Sequence, residues 1–283
     1  MEKLSSIEEY YKLIKEAKKK CRISFSNMYA MPNELQRYIE LGRIFYESCD
    51  AGILFFFDEE KYYKLCLYVD ANIPFCVSAM DKKILVRNIF RNGNDLSLIN
   101  KALETNRFEK RGTSIQIRGD VNYIVEEKKA IEKGRIILDR GGYQFLVADV
   151  SLLNQIEELL EEVSFIEDYH IAFKTRDEKL KNIENGGYLC IVDHNNKVCA
   201  ATITWENGDV AEGTAIAVRD AYKMLGMAPL ISYERLKRLK EKKIDYLQGW
   251  VVLDNEPSIR YHKNMGFQFM DRYADEWILE AGE

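Results

Sequence analysis

The run Val218-Arg219-Asp220-Ala221-Tyr222-Lys223-Met224-Leu225-Gly226-Met227-Ala228-Pro229 decides how this chain is read. Upstream, Asp209 to Val218 has the composition of a strand. Downstream, Ala228 to Lys242 reads as a helix with Pro229 in its first turn, where a missing N–H costs nothing. A strand that passes through a loop of small residues into a helix leaves several backbone N–H groups unpaired and converging, and the helix dipole adds partial positive charge there. Such a turn is suited to a phosphate. A side chain at Gly226 would hold the phosphate away from the backbone, and the small Ala228 tolerates the same crowding.

Working outward, the strand Tyr188 to Asp193, a turn at His194 to Asn196, the strand Lys197 to Trp205 and a turn at Asn207-Gly208 lead into Asp209 to Val218. Links this short make the three strands antiparallel. Before them come a strand Tyr143 to Val150, a helix capped by Ser151 that carries Leu152, Ile156, Leu159, Leu160 and Val163, and a helix Asp177 to Glu184 broken by Gly186-Gly187. After the Ala228 helix come a strand Ile244 to Leu253, a short helix Glu256 to Met265 and two closing strands, Phe267 to Met270 and Asp275 to Leu279. The expected class is α/β, a mixed sheet with one βαβ crossover after an antiparallel meander.

In the N-terminal half, Leu4, Ile7, Tyr11, Ile14 and Ala17 recur at helical spacing, and a second helix is expected from Asn33 to Ser48. Gly52 to Asp58 and Lys61 to Asp70 flank an acidic turn as a hairpin. A strand Lys83 to Arg91 leads through Asn92 to Asp95 into a helix near Leu96, and strands follow at Ser114 to Ile117 and Val121 to Val125. The charged stretch Glu126 to Gly142 marks the junction between domains expected at 1–140 and 141–283.

A net charge of -5 supplies no general attraction to nucleic acid or anionic lipid. The six cysteines sit singly in mostly apolar surroundings, as buried reduced thiols do. Met1 to Lys20 lacks the apolar segment of a signal peptide and the apolar runs are too short to span a bilayer, so a cytoplasmic protein is expected. The wealth of Lys, Ile, Asn and Tyr suggests a bacterial source. His170 and His194 have no ligand partners at usable spacing, so no metal is expected. The Arg235 to Lys243 run reads as the solvated face of a helix, and the aromatic cluster Phe55 to Tyr68 as core.

Val218, Tyr222, Lys223, Gly226 and Ala228 stand in the register of the coenzyme loop of the GNAT acyltransferase superfamily, which this half of the chain resembles. Lys223 replaces the usual Arg or Gln. A second match follows in Asn255, Ser258, Gly266 and Phe267, with His262 where the family has tyrosine and Tyr261 one place earlier. The resemblance implies a GNAT-like fold in the C-terminal half and, from the shared element order, a second, degenerate GNAT-like domain without a coenzyme loop in the N-terminal half. It implies acetyl-CoA or another acyl-CoA as co-substrate, with the pantetheine arm along Ile216, Ala217 and Val218. The pyrophosphate would lie on Lys223, Met224, Leu225, Gly226, Met227 and Ala228, with Asn255 alongside.

Glu212, six residues before Val218, takes the position of the general base in the histone-type members. The resemblance gives His262 the role of general acid toward the departing thiolate, since an imidazole can donate a proton near neutral pH. Tyr261, turned about 100° away on the helix, is expected to pack. The implied activity is N-acyl transfer, most simply N-acetyl transfer, to a small-molecule or amino-acid-like amine that attacks the thioester directly. The enzyme would be a monomer or homodimer without a nucleic-acid or membrane partner. Two other readings stay open: a non-catalytic coenzyme-binding or regulatory module, and an aminoacyl-tRNA-dependent transferase of related fold. The acidic balance and the coenzyme loop weigh against the last.

Overall fold

The computed structural model describes residues 1–28, 32–78, 80–123, 129–163, 174–213 and 216–282. In chain order its elements are β1 (Glu2–Lys3), α1 (Ile7–Lys20), β2 (Phe25–Ser26), α2 (Pro32–Glu40), β3 (Ile44–Cys49), β4 (Gly52–Asp58), β5 (Tyr62–Val69), β6 (Lys83–Phe90), α3 (Ser97–Thr105) and β7 (Glu109–Asp120). There follow α4 (Lys129–Gly141), β8 (Gln144–Val147), α5 (Leu153–Val163), α6 (Arg176–Glu184), β9 (Tyr188–Val192), β10 (Val198–Asn207), β11 (Val210–Gly213) and β12 (Ala217–Val218). The chain closes with α7 (Met227–Glu241), β13 (Tyr246–Val252), α8 (Glu256–Asn264) and β14 (Gln268–Leu279). Two compact units result: Met1–Ser114 with Asp271–Glu283, and Ile115–Met270. The division runs through β7 and β14 and not through the charged stretch 126–142. That stretch contains α4, whose Ile131 is buried in one cluster with Leu230 and Ile231 of α7, so its contacts lie in the second unit.

In the first unit the strand order is β1-β3-β4-β5-β6-β14. The expected hairpin is present: β4 and β5 pair antiparallel from Gly52↔Val69 to Asp58↔Tyr63. The helix expected over Asn33 to Ser48 ends at Glu40, and Ile44 to Cys49 form β3 against β4. A left-handed Gly42 breaks the helix, and Ile44 and Tyr46 then alternate with less buried neighbours at period two. β4 is buried on both faces because helices cover both: Tyr10 of α1 packs its ring on Phe55, while Leu54 and Phe56 share a core with Ile99 and Leu103 of α3.

β5 and β6 run parallel from Tyr62↔Lys83 to Leu65↔Val86 and then stop pairing. Past that point the edge of β5 is taken by Phe25–Ser26, which pair with Val69 and Tyr68. The buried Asn27 completes the closure. Its amide nitrogen donates to the carbonyls of Leu65 (3.3 Å) on β5 and Arg87 (3.1 Å) on β6, and its oxygen accepts from the Leu67 N–H at 2.6 Å. The link between these parallel strands, 70–82, shows no helix among its described residues.

In the second unit the order is β13-β11-β10-β9-β8. α4 and α7 cover one face, packing on Leu189, Ile191, Cys199, Ala200 and Val218. α5 covers the other, over Cys190, Val192, Ala201, Ile203 and Ala217. Asp149, not Ser151, makes the cap before α5. Its carboxylate accepts from the Ser151 N–H (2.8 Å) and hydroxyl and caps a short 3-10 turn, so the α-helix starts at Leu153. Thr175 and Glu178 form a reciprocal capping box on α6.

The Ser114 to Ile117 piece lies inside the longer β7, and Val121 to Tyr123 form a 3-10 turn where a strand was expected; residues 124 and 125 lie outside the described residues, as does His170. The two closing strands are one, β14, in which Asp271 and Arg272 are exposed strand positions and not a turn. No described helix is long and apolar enough to cross a membrane.

Candidate functional site

The loop from β12 to α7 turns through two left-handed residues, Met224 (φ 62°), which is 90% exposed, and Gly226 (φ 83°), which occupies the N-cap of α7. The first N–H bonded back to the loop is that of Leu230, which donates to the Gly226 carbonyl at 3.2 Å. Pro229 has no N–H, so those of Met227 and Ala228 point out of the helix end, as an anion site requires. Lys223 pairs with Asp220 at 2.6 Å, both exposed. An ion pair of that kind is worth little and yields easily to a stronger anion.

Behind the loop stands α4, which the sequence reading left as a charged junction. Lys133 Nζ lies 3.5 Å from the Met224 carbonyl, and Gly134 packs so closely that a β-carbon there would sit 2.7 Å from the Gly226 carbonyl oxygen. Backbone cannot give way as a side chain can. Gly134→Ala therefore displaces the loop, and an affinity for coenzyme A about tenfold weaker is expected by calorimetry, with the fold kept by circular dichroism.

The parallel ladder between β11 and β13 runs from Val210↔Tyr246 to Glu212↔Gln248 and is not continued by β12. Among the described residues, Ala217 and Val218 pair with Ala201 and Ala200 of β10 and with no other strand. The other edge of Ile216 to Val218 is thus left unpaired by the described strands. This is the edge that Phe25 to Asn27 close in the first unit. Ile216, Leu225 and Ala228 pack around Val218 at its α7 wall.

Glu212 is exposed at the end of the ladder, opposite Trp205 on β10, and accepts from Gln248 Nε2 at 3.0 Å. Its neighbour Gly213 faces α7, where a β-carbon would lie 2.8 Å from Arg235 Nη1, so Glu212 points to the opposite face of the sheet. Asn255 caps α8, its side-chain oxygen accepting from the Ser258 N–H at 3.1 Å.

His262 Nδ1 lies 2.8 Å from the Ser258 carbonyl, which can only accept, so Nδ1 carries the proton and Nε2 is a bare acceptor in the neutral ring. Burial, helped by the nearby Arg235 guanidinium, pulls its pKa down to about 4 against the Ser258 hydrogen bond. A neutral imidazole with its one proton bonded to backbone does not suit the general acid the family pattern suggested. Tyr261 donates to the Ala228 carbonyl at 3.1 Å in the first turn of α7, and burial raises its phenol to about 12, so it keeps its proton.

The folded pKa of His262 lies below its unfolded value near 6.5. Its stabilising contribution is complete above pH 6.5 and is lost as pH falls toward 4, because the unfolded chain takes up the proton first. His262→Phe is expected to flatten the unfolding free energy over that window by about 2 kcal/mol, read from urea melts at each pH.

Arg235 is the largest departure from the sequence reading. It was expected on a solvated face but is 4% exposed. The signal was there: Ala228, Ile231, Ser232, Arg235 and Leu239 follow the helical stripe spacing, and the charge hid it. His194 sits in an exposed turn, and among the described residues no cluster of His, Cys, Asp or Glu could hold a metal.

No curated protein matches the chain. The acetyltransferase (GNAT) family profile matches residues 153–267. Among solved structures, a tandem GNAT protein from the clavulanic acid biosynthesis pathway is similar over 100% of this chain and 98% of its own, at 12% identity and a TM-score of 0.53. The glucosamine N-acetyltransferase region of a fungal multi-domain GH3 beta-N-acetylglucosaminidase covers 80% of the chain, at 11% identity and a TM-score of 0.53. A GCN5-related N-acetyltransferase from Sphaerobacter thermophilus covers 71%, at 11% identity and a TM-score of 0.49. The chain spans 61% of the Sphaerobacter protein and 31% of the fungal one. At these identities the likeness is one of fold. Residues 153–267 thus match the acetyltransferase (GNAT) family, in a chain whose whole length shares the fold of a tandem GNAT protein.

Proposed function

We propose that the second unit transfers an acyl group, most simply acetyl, from acyl-coenzyme A to a primary amine of a small or amino-acid-like acceptor that attacks the thioester directly. The observation that carries this reading is the open edge of Ile216 to Val218 beside the Gly226 turn, set against the same edge in the first unit, which Phe25 to Asn27 fill. An extended amide-bearing arm such as pantetheine pairs with an unfilled strand edge, and the converging N–H groups of Met227 and Ala228 take the pyrophosphate. One coenzyme per chain follows, because among its described residues the first unit has neither the gap nor a helix between β5 and β6.

Glu212 is assigned as the base, directly or through water, on the face of the sheet away from α7. The proton for the departing thiolate is assigned to solvent, since His262 and Tyr261 both bond theirs to backbone carbonyls, of Ser258 and Ala228. The glucosamine N-acetyltransferase activity named for the fungal relative supports an amine acceptor and does not choose one.

Calorimetry with acetyl-CoA, longer acyl-CoAs and free coenzyme A is expected to show one site per chain. No binding of any of them overturns the reading. With binding in hand, thiol release across an amine panel tests the roles. Glu212→Gln is expected to lower kcat/KM about 10²-fold while the acetyl-CoA Kd stays put, and Tyr261→Phe and His262→Phe each to cost less turnover than Glu212→Gln.

A further inference from the structure

On the same face as α7, but at its C-terminal half, lies a small cavity, partly open to solvent, lined by Gly186, Thr204, Glu206, Arg235, Arg238 and Lys242, with apolar walls behind. Its charges do not balance. Glu206 is already paired with Lys242 Nζ at 2.5 Å, and the same ammonium donates to the Asn185 carbonyl at 2.6 Å. Arg235 donates through Nη1 to the Thr202 hydroxyl at 2.9 Å, and its Nε is buried with no acceptor. Arg238 lies over Gly186, where a β-carbon would meet its Nη2 at 2.6 Å, and its Nε is likewise buried without an acceptor. No carboxylate among the described residues lies within ion-pair distance of either guanidinium.

Guanidinium does not give up its proton in a protein, so burial cannot be relieved by neutralisation as it can for lysine. A buried cation with a single neutral hydroxyl partner is strongly disfavoured unless a counter-charge comes from elsewhere. Basic residues in a last helical turn ordinarily offset its carbonyls, and Lys240, Lys242 and Arg238 can be read that way. Arg235 cannot. It stands a turn further in, and its only hydrogen-bond partner among the described residues is a side chain of the sheet.

We infer that this cavity is a binding site for a small oxyanion, held between the guanidinium groups of Arg235 and Arg238 with Lys242 at its rim. The chemistry is that of a phosphate or a carboxylate, either of which meets paired N–H donors of arginine in fork geometry. The site lies apart from the Gly226 turn and stands whether or not the second unit binds a coenzyme.

Melting curves of the full chain test it, with inorganic phosphate or succinate titrated against chloride at matched ionic strength. A saturable rise in Tm of about 4 °C is expected with at least one of the two, and which one identifies the kind of oxyanion. Arg238→Gln should abolish the rise, while Lys237→Gln, on the exposed side of the helix, should leave it intact. Arg235→Met should remove the rise too, yet melt no lower than the wild type in chloride, since it deletes an uncompensated buried charge. A rise equal to that with chloride overturns the site. So does a saturable rise that survives Arg238→Gln, which would place the anion at the Gly226 turn.

Discussion

Asn27→Ala is expected to lower the free energy of unfolding by about 3–4 kcal/mol, the largest single-residue stability loss proposed for this protein. The side chain is 3% exposed and makes three hydrogen bonds to backbone, to Leu65 and Leu67 on β5 and to Arg87 on β6. Alanine leaves an N–H and two carbonyls without partners inside a sheet, and a buried unpaired polar group costs about 1–3 kcal/mol. Asn27→Asp should be nearly as damaging, because a carboxylate can accept from Leu67 but cannot donate to either carbonyl. Urea titrations read the loss directly. A change below about 1 kcal/mol would mean that water replaces the amide and that the gap between β5 and β6 is not truly closed.

Gly226→Val is expected to weaken coenzyme binding by at least about 100-fold with only a modest loss of stability. Two effects act together. The residue sits at φ 83°, which a β-branched side chain enters only at a cost of about 1–2 kcal/mol, so the turn either strains or flips. Whichever occurs, the side chain stands where the phosphates must approach the N–H groups of Met227 and Ala228. Calorimetry with coenzyme A and with acetyl-pantetheine separates the causes: the loss should be large for the first and small for the second, which carries no pyrophosphate. Equal losses would show that the whole gap, and not the phosphate turn, had been disturbed.

Much of the site was readable in order along the chain. Strand, small-residue loop and proline-led helix lie contiguously from Asp209 to Lys242, and local chemistry alone marks them. The same holds for the Thr175 and Glu178 cap, although that capping box was read only as a helix near Asp177. Readings failed where a distant partner decided the outcome. Ile44 to Cys49 carries apolar residues compatible with helix or strand, and only β4 alongside selects the strand. The charged segment 129–141 looked like a linker because its buried residues Ile131 and Gly134 are unremarkable until Leu230 and Ile231 of α7 and its N-cap Gly226 are set against them.

Alone, then, the sequence determined the strand-to-helix turn at Gly226, the antiparallel meander before it and the class of fold, because these depend on spacings of a few residues and on backbone chemistry. Tertiary structure decided which strand edge is open and which is closed, that His262 is neutral with its proton spent on Ser258, and that Arg235 is buried without a counter-charge. Each of these depends on atoms far apart in sequence, as Asn27 is from Arg87, and on the loss of water around them. Burial and pairing belong to the folded chain and have no local signature.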